Sequence, residues 1–229
     1  RQTQKEESYI RQFLSIFNFK KLMKFKELFF VFLTMAVFFI GFNVYFVHIT
    51  NYFIYTLGYQ ESVAGLIQGG CLLVSILATI PAAILINKDK SSLLIKISLI
   101  VDIIGLVVLY FLAEMTITLI VGVILSGIGY VLLMQTLTVW MKKLYPEDNR
   151  SQFEGLRIIF AVLLPMVIGP LIADPLINNL GLPIVVDGKP GMAPTNILFI
   201  AGMAFTILTF IPLYFADRQH KKANIAISE

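Results

Sequence analysis

The sequence predicts an all-α membrane protein whose six transmembrane helices form one bundle, with both termini on the cytosolic side. Three observations predict it: six apolar stretches of bilayer-spanning length, a composition 58% hydrophobic and only 14% charged, and a one-sided distribution of positive charge. An ordinary soluble domain is about 25% charged, and the mean hydropathy of +0.83 agrees with the membrane reading. The stretches run 28–57, 63–86, 93–113, 117–141, 155–179 and 195–215. Each has about 20 residues or more, enough to cross the hydrocarbon core at about 1.5 Å per residue. Threaded alternately, they place every Lys and Arg except Lys189 on one side. That side gathers Arg1, Lys5, Arg11, Lys20, Lys21, Lys24 and Lys26, then Lys88, Lys90 and Lys96. It also gathers Lys142, Lys143, Arg150 and Arg157, and finally Arg218, Lys221 and Lys222. Positive charge in short loops stays cytoplasmic, so the basic side is the cytosol of a cell or plasma membrane. The pI of 9.1 is then a topology signal, and no nucleic-acid partner is expected.

Residues 1–27 are not a span. Ile10, Phe13, Leu14 and Phe17 recur at helical spacing among Lys and Glu, which predicts an amphipathic cytosolic linker helix lying along the membrane. The chain opens on Arg1 rather than Met, so an upstream part is expected. Span one is long and carries Gly41, Asn43, His48, Thr50 and Asn51. Gly58 ends it, and a short turn makes span two its antiparallel neighbour. Span two carries Gly65, Gly69, Gly70, Ser75 and Pro81, where small residues let helices approach closely. Its Cys71 is the one cysteine, so no internal disulfide exists and packing is its expected role. Span three is plain except for Asp102. On span four Gly122, Ser126 and Gly129 lie within about 60° of one another, a packing stripe. Pro165, Pro170 and Pro175 predict a kinked span five. The outer loop 180–194 has a tight-turn pair at Asp187-Gly188. Span six leads into a basic cytosolic tail, 217–229.

Catalytic sets are missing from the sequence. It has two histidines, His48 and His220, and no GxSxG, HExxH or CxxC pattern, so the mechanisms that need them are excluded and no enzyme, metal or cofactor is expected. A TVGYG filter is also missing. Scattered polar groups on breakable helices are how solute pathways look. His48, Asn51 and Tyr55 project within about 60° of each other on span one, and Asn43 lies about 80° from Asn51. Asn and Tyr offer hydrogen bonds without net charge, and an aromatic ring stacks on a sugar face. Asn43, Asn51 and Tyr55 are therefore substrate-binding candidates, joined by Gln68 of span two and by Tyr130 and Gln135 of span four. Interhelical hydrogen bonding is the competing role for each, and for His48 packing is the favoured one. Thr138 is a weaker lining residue, and Trp140, beside Lys142 and Lys143, is an interfacial anchor.

Asp102 stands about 14 Å from the cytosolic end of span three, close to mid-bilayer. It is the ion-coupling candidate, with a structural acid bonded to Ser98 as the alternative. The loop Tyr145–Arg157 carries Arg150, Glu154 and Arg157. Glu154 and Arg157 stand three apart on one helix face and can pair, and with Asp89 of the 87–92 loop they are the gating candidates.

Two segments carry a resemblance. Pro146, Arg150 and Gly155 precede Gly169-Pro170-Leu171-Ile172-Ala173, and the loop Asn87-Lys88-Asp89-Lys90-Ser91-Ser92 sits between spans two and three. They resemble the P…RG…G loop, the GPxxGG-like helix and the D-R-x-G-R-K loop of the major facilitator superfamily. Ser151 stands where that pattern has glycine, and Ala173-Asp174 replace its later glycines. With six spans, the resemblance covers nearly the whole chain and is specific to the second half of a twelve-helix transporter. Asn51-Tyr52-Phe53-Ile54-Tyr55-Thr56-Leu57-Gly58 resembles the end of helix seven in sugar–cation symporters of the glycoside–pentoside–hexuronide group.

The resemblance implies that spans one and four line a central cavity, two and five flank it, and three and six are peripheral. It supports Asn51, Tyr55, Tyr130 and Gln135 as pathway residues and weighs against Asp102. It implies an N-terminal six-helix half as partner, besides the lipid bilayer and a small-molecule substrate. The expected function is secondary active transport of a small polar solute such as a sugar, driven by H⁺ or Na⁺ through alternating access. A lipid or amphiphile transporter on the same fold and a non-transporting membrane scaffold are the alternatives.

Overall fold

The computed structural model describes residues 22–88, 90–147, 150–186 and 188–228, with side chains to 223. The lead-in 1–21 and Asp89 lie outside the described residues. Six long apolar helices follow: α1 (Lys26–Thr56), α2 (Glu61–Asn87), α3 (Ser91–Leu112), α4 (Thr116–Leu144), α5 (Arg150–Leu180) and α6 (Ile197–Ala223). The chain is an all-α, six-span membrane bundle, apart from a small hairpin. Its spans start and end within a few residues of the sequence reading, except that helix continues through the expected tail as far as Ser228. No Gly or Pro follows Pro212 to stop it.

Proline explains most of the breaks. A ring at position i removes one N–H and crowds the carbonyl at i−4. Pro81 thus accounts for the interruption of α2 at Leu77–Ala78, and Pro212 for that of α6 at Thr209. In α5 a π-helical turn, Ile159–Leu163, runs directly towards Pro165. α1 is broken without proline at Val47–His48 and closes in a second π turn, Tyr52–Thr56. Gly58 then reverses the chain with φ 77°.

α1 is the most enclosed helix. Of its apolar window 61% is buried, against 22% for α2 and 33% for α5. It packs on α4, α5 and α6, while α4 also packs on α2 and α3, and α3 touches α6. Several crossings are too close for a side chain, the α1–α6 and α3–α4 crossings among them. A Cβ on Gly202 of α6 would lie 2.5 Å from Cδ1 of Tyr45 on α1, and one on Gly105 of α3 would lie 2.5 Å from the Ser126 nitrogen on α4. The Gly122–Ser126–Gly129 stripe does face α3, where a Cβ on Gly129 would meet Asp102. Gly65, Gly69 and Gly70 of α2 have no neighbour within 4 Å of such a Cβ, so within this bundle they make no close crossing.

The ends are tied by polar contacts. At the basic end Glu27 Oε1 accepts from Trp140 Nε1 at 2.8 Å and lies 2.8 Å from His220 Nδ1, joining the ends of α1, α4 and α6. Trp140 is 4% exposed, so it is an internal pin rather than the lipid-facing anchor its neighbours Lys142 and Lys143 suggested. Lys96 of α3 pairs with Asp217 of α6 at 2.6 Å. At the opposite end β1 (Leu182–Val186) and β2 (Lys189–Ala193) form an antiparallel hairpin in register Val186↔Lys189. Gly188 turns it with φ 76°.

Trp140→Phe keeps the ring and deletes the donor to Glu27. We expect it to destabilise the bundle by about 1 kcal/mol, lowering the midpoint of thermal unfolding by about 2–4 °C. The buried thiol of Cys71 reports unfolding through its reaction with a thiol-specific dye. An unchanged midpoint in that assay removes the pin.

Candidate functional site

A groove of about 520 Å³ opens midway along the bundle between α1, α2, α4 and α5. α1 presents Phe39, Phe42, Asn43, Phe46 and Thr50 to it, α2 Gln68, α4 Tyr130 and Met134, and α5 Ala161 and Met166. Among the described residues α3 and α6 contribute nothing to this lining, and no charged side chain does.

One wall is a continuous aromatic stack. Tyr130 lies on Phe42 at 4.3 Å between ring centres and 17° between planes, and Phe42 lies on Phe46 at 4.5 Å and 24°. The polar groups are few. Thr50 Oγ1 donates to Gln68 Oε1 at 2.5 Å, which leaves the Gln68 amide nitrogen uncommitted. Asn43 Nδ2 donates to the Phe39 carbonyl at 2.8 Å, which leaves its Oδ1 uncommitted. Gly169 fixes where Asn43 sits, because a Cβ there would come within 2.6 Å of Asn43 Cβ. The Gly169-Pro170 step is thus the α1–α5 crossing that narrows the groove. With neutral donors and acceptors beside flat apolar rings, the arrangement can hold an uncharged organic molecule.

Residues 31–229 match the family model described as Major Facilitator Superfamily. The chain belongs to the major facilitator superfamily. No curated protein matches it. It is accordingly an integral membrane protein of a secondary-transporter family. The groove of this superfamily member is lined by α1, α2, α4 and α5.

The structure brings together three of the six expected substrate residues: Asn43, Gln68 and Tyr130. Asn51 and Tyr55 are exposed beyond the groove, towards the hairpin end. The interruption at Val47–His48 and the π turn after Asn51 invalidate the uniform 100° step that had grouped them with His48. Gln135 lies outside the groove with its Oε1 buried and without a hydrogen-bond partner, and Thr138 Oγ1 is in the same condition. Thr50 and the aromatic wall were not singled out by sequence reasoning.

Asp102 is 1% exposed, inside the bundle and away from the groove lining. Its partner is Thr206 of α6, whose Oγ1 donates to Oδ2 at 2.8 Å. Ser98 does not pair with it, because the Ser98 hydroxyl donates to the Leu94 carbonyl at 2.7 Å, as a helical serine one turn on readily does.

At the basic end Arg157 Nε and Glu154 Oε2 pair at 2.7 Å. Their side chains are 25% and 32% exposed, so the pair contributes no more than about 1 kcal/mol. Arg150 begins α5 as an exposed residue. Beside them Tyr145 stacks on Phe153 at 5.9 Å, and Phe25 meets Phe153 edge-on at 5.6 Å. Burial, with the Glu154 charge adding to it, pushes the Tyr145 hydroxyl up to about 12. It is therefore a neutral phenol throughout the physiological range.

Proposed function

We propose that this bundle is the C-terminal half of a secondary transporter that moves a small uncharged solute by alternating access, coupled to H⁺ or Na⁺. The observation that carries the reading is the uncharged groove on α1, α2, α4 and α5, with an aromatic wall facing three neutral polar side chains. A sugar fits this chemistry: a ring face stacks on Phe42 or Tyr130, and hydroxyls meet Gln68, Asn43 and Thr50. The sugar–cation symporter resemblance points the same way. The basic end is then cytosolic.

The N-terminal six-helix half is the partner we assign to α2 and α5. On α2 Leu66, Leu73, Leu77, Ile80 and Ile84 form an exposed stripe at three-, four- and seven-residue spacing, and Gly65 and Gly69 stand open beside it. Glycines four apart suit a closely packed second helix in lipid. Arg150, Glu154, Arg157 and Asp89 are assigned to the cytosolic gate.

A second reading, an amphiphile as substrate, is favoured by the predominance of aromatic and aliphatic side chains in the groove. Uptake into proteoliposomes separates the two. We expect radiolabelled sugar to accumulate, unlabelled sugars to compete and lysolipids not to. Asn51→Ala and Tyr55→Ala, outside the groove, should change uptake by less than about twofold, well under the tenfold that about 1.4 kcal/mol of binding represents. Competition by lysolipids alone would establish the amphiphile instead, and no flux of either would leave a scaffold.

A further inference from the structure

We infer that Asp102 is a proton-binding site inside the bundle, reached from the groove through the hydroxyl of Tyr45. The inference rests on the transport reading only in naming the proton as the coupled ion.

Among the buried polar atoms without a hydrogen-bond partner are Asp102 Oδ1 on α3 and the Tyr45 hydroxyl on α1. Their residues are 1% and 2% exposed. Orphaned groups of this kind are rare and call for an occupant or a role. Tyr45 faces both Asp102 and Ser126 of α4. The other elements packed around the carboxyl contribute Thr206 of α6, its donor, and Gly129 of α4, whose missing side chain makes room for it. Among the described residues, Tyr45 is thus the titratable group facing Asp102, and no cation pairs with it. An ionised carboxylate so placed has only hydroxyl donors to offset its desolvation, whereas the protonated acid carries no charge to desolvate.

A separate cavity of about 20 Å³ has Tyr45, Ser126, Phe42, Phe46 and Gln68 in its lining. Of these, Phe42, Phe46 and Gln68 also line the groove. The cavity matches the space for one water, which needs about 10–15 Å³ measured in this way and polar partners. A hydronium formed in the groove passes its proton to the cavity water and on to the Tyr45 oxygen. Tyr45 releases its own hydroxyl proton to Asp102 Oδ1. The net step turns one carboxylate and one hydronium into a carboxylic acid and a water, and Tyr45 ends as the neutral phenol it began as.

The test is infrared difference spectroscopy, acid minus alkaline, on the protein reconstituted in lipid vesicles, which needs no substrate. A carboxylic-acid C=O band is expected in the wild type and lost in Asp102→Asn. In Thr206→Val the band should persist at higher frequency, because the hydrogen bond to that group is deleted; in Tyr45→Phe it should persist but shift, because the hydroxyl facing the carboxyl is gone. The two variants keep the test decisive if Asp102→Asn fails to fold. A difference spectrum unaffected by all three substitutions overturns the inference, as does a band that disappears on adding Na⁺ at constant pH. Sugar uptake in the same vesicles is read separately. A titrating Asp102 without sugar uptake sinks only the substrate reading, and uptake indifferent to both Asp102→Asn and a pH gradient sinks the coupling.

Discussion

Gly105→Val is expected to be the most damaging single substitution in the bundle. A Cβ at this position would sit 2.5 Å from the Ser126 nitrogen and 3.0 Å from the Gly122 carbonyl oxygen. Both are backbone atoms of α4, so no rotamer change relieves the overlap, and the two helices must separate. α3 and α4 share the most extensive helix contact in the molecule. Overpacking of this kind costs about 3 kcal/mol or more, which lowers the unfolding midpoint by about 6–12 °C. Dye reaction with Cys71 during a temperature ramp measures it. Gly70→Ala is the control: nothing lies within 4 Å of its new Cβ, and replacing a helical glycine by alanine is neutral or stabilising by about 1 kcal/mol. Equal midpoints for Gly105→Val and wild type would mean that the α3–α4 crossing has room for a side chain.

Gln68→Leu is the second large effect, on transport rather than stability. It deletes an uncommitted amide donor from the groove and orphans the Thr50 hydroxyl that now donates to Gln68. Losing one such donor and leaving another group unpaired costs about 1.4 kcal/mol of solute binding, a factor of about ten. The half-saturation concentration for sugar uptake should rise by about that factor at unchanged membrane abundance. Tyr130→Leu, which removes one end of the aromatic stack, should raise it similarly. Half-saturation unmoved by both would place the solute elsewhere.

The spans were legible in the sequence because hydrophobic length is a local property, and the basic loops ordered them. The groove was legible only in part. Tyr130, Gln68 and Asn43 lie on regular helix, where a fixed angular step predicts direction. Asn51 and Tyr55 lie beyond an interruption at Val47–His48 that no proline announces, and there the step fails. The hairpin was missed, although Ile184-Val185-Val186 followed by Asp187-Gly188 is a strand running into a tight turn; an apolar count over 180–194 registers only a loop. Asp102 was conspicuous in sequence, but Thr206 and Tyr45 are too distant in the chain for spacing to associate them with it. Trp140 misled because Lys142 and Lys143 imitate a membrane-interface setting, whereas its partner Glu27 stands at the far end of the chain.

The tie among Glu27, Trp140 and His220 has a mechanical meaning. It clamps the first turn of α1, while the same helix is interrupted at Val47–His48 and closes in a π turn. α1 is therefore a lever anchored at its foot and jointed near its tip, with Asn43 and Phe42 on the stiff arm and Asn51 and Tyr55 past the joint. Bending at that joint repositions the rim of the groove and leaves its floor undisturbed.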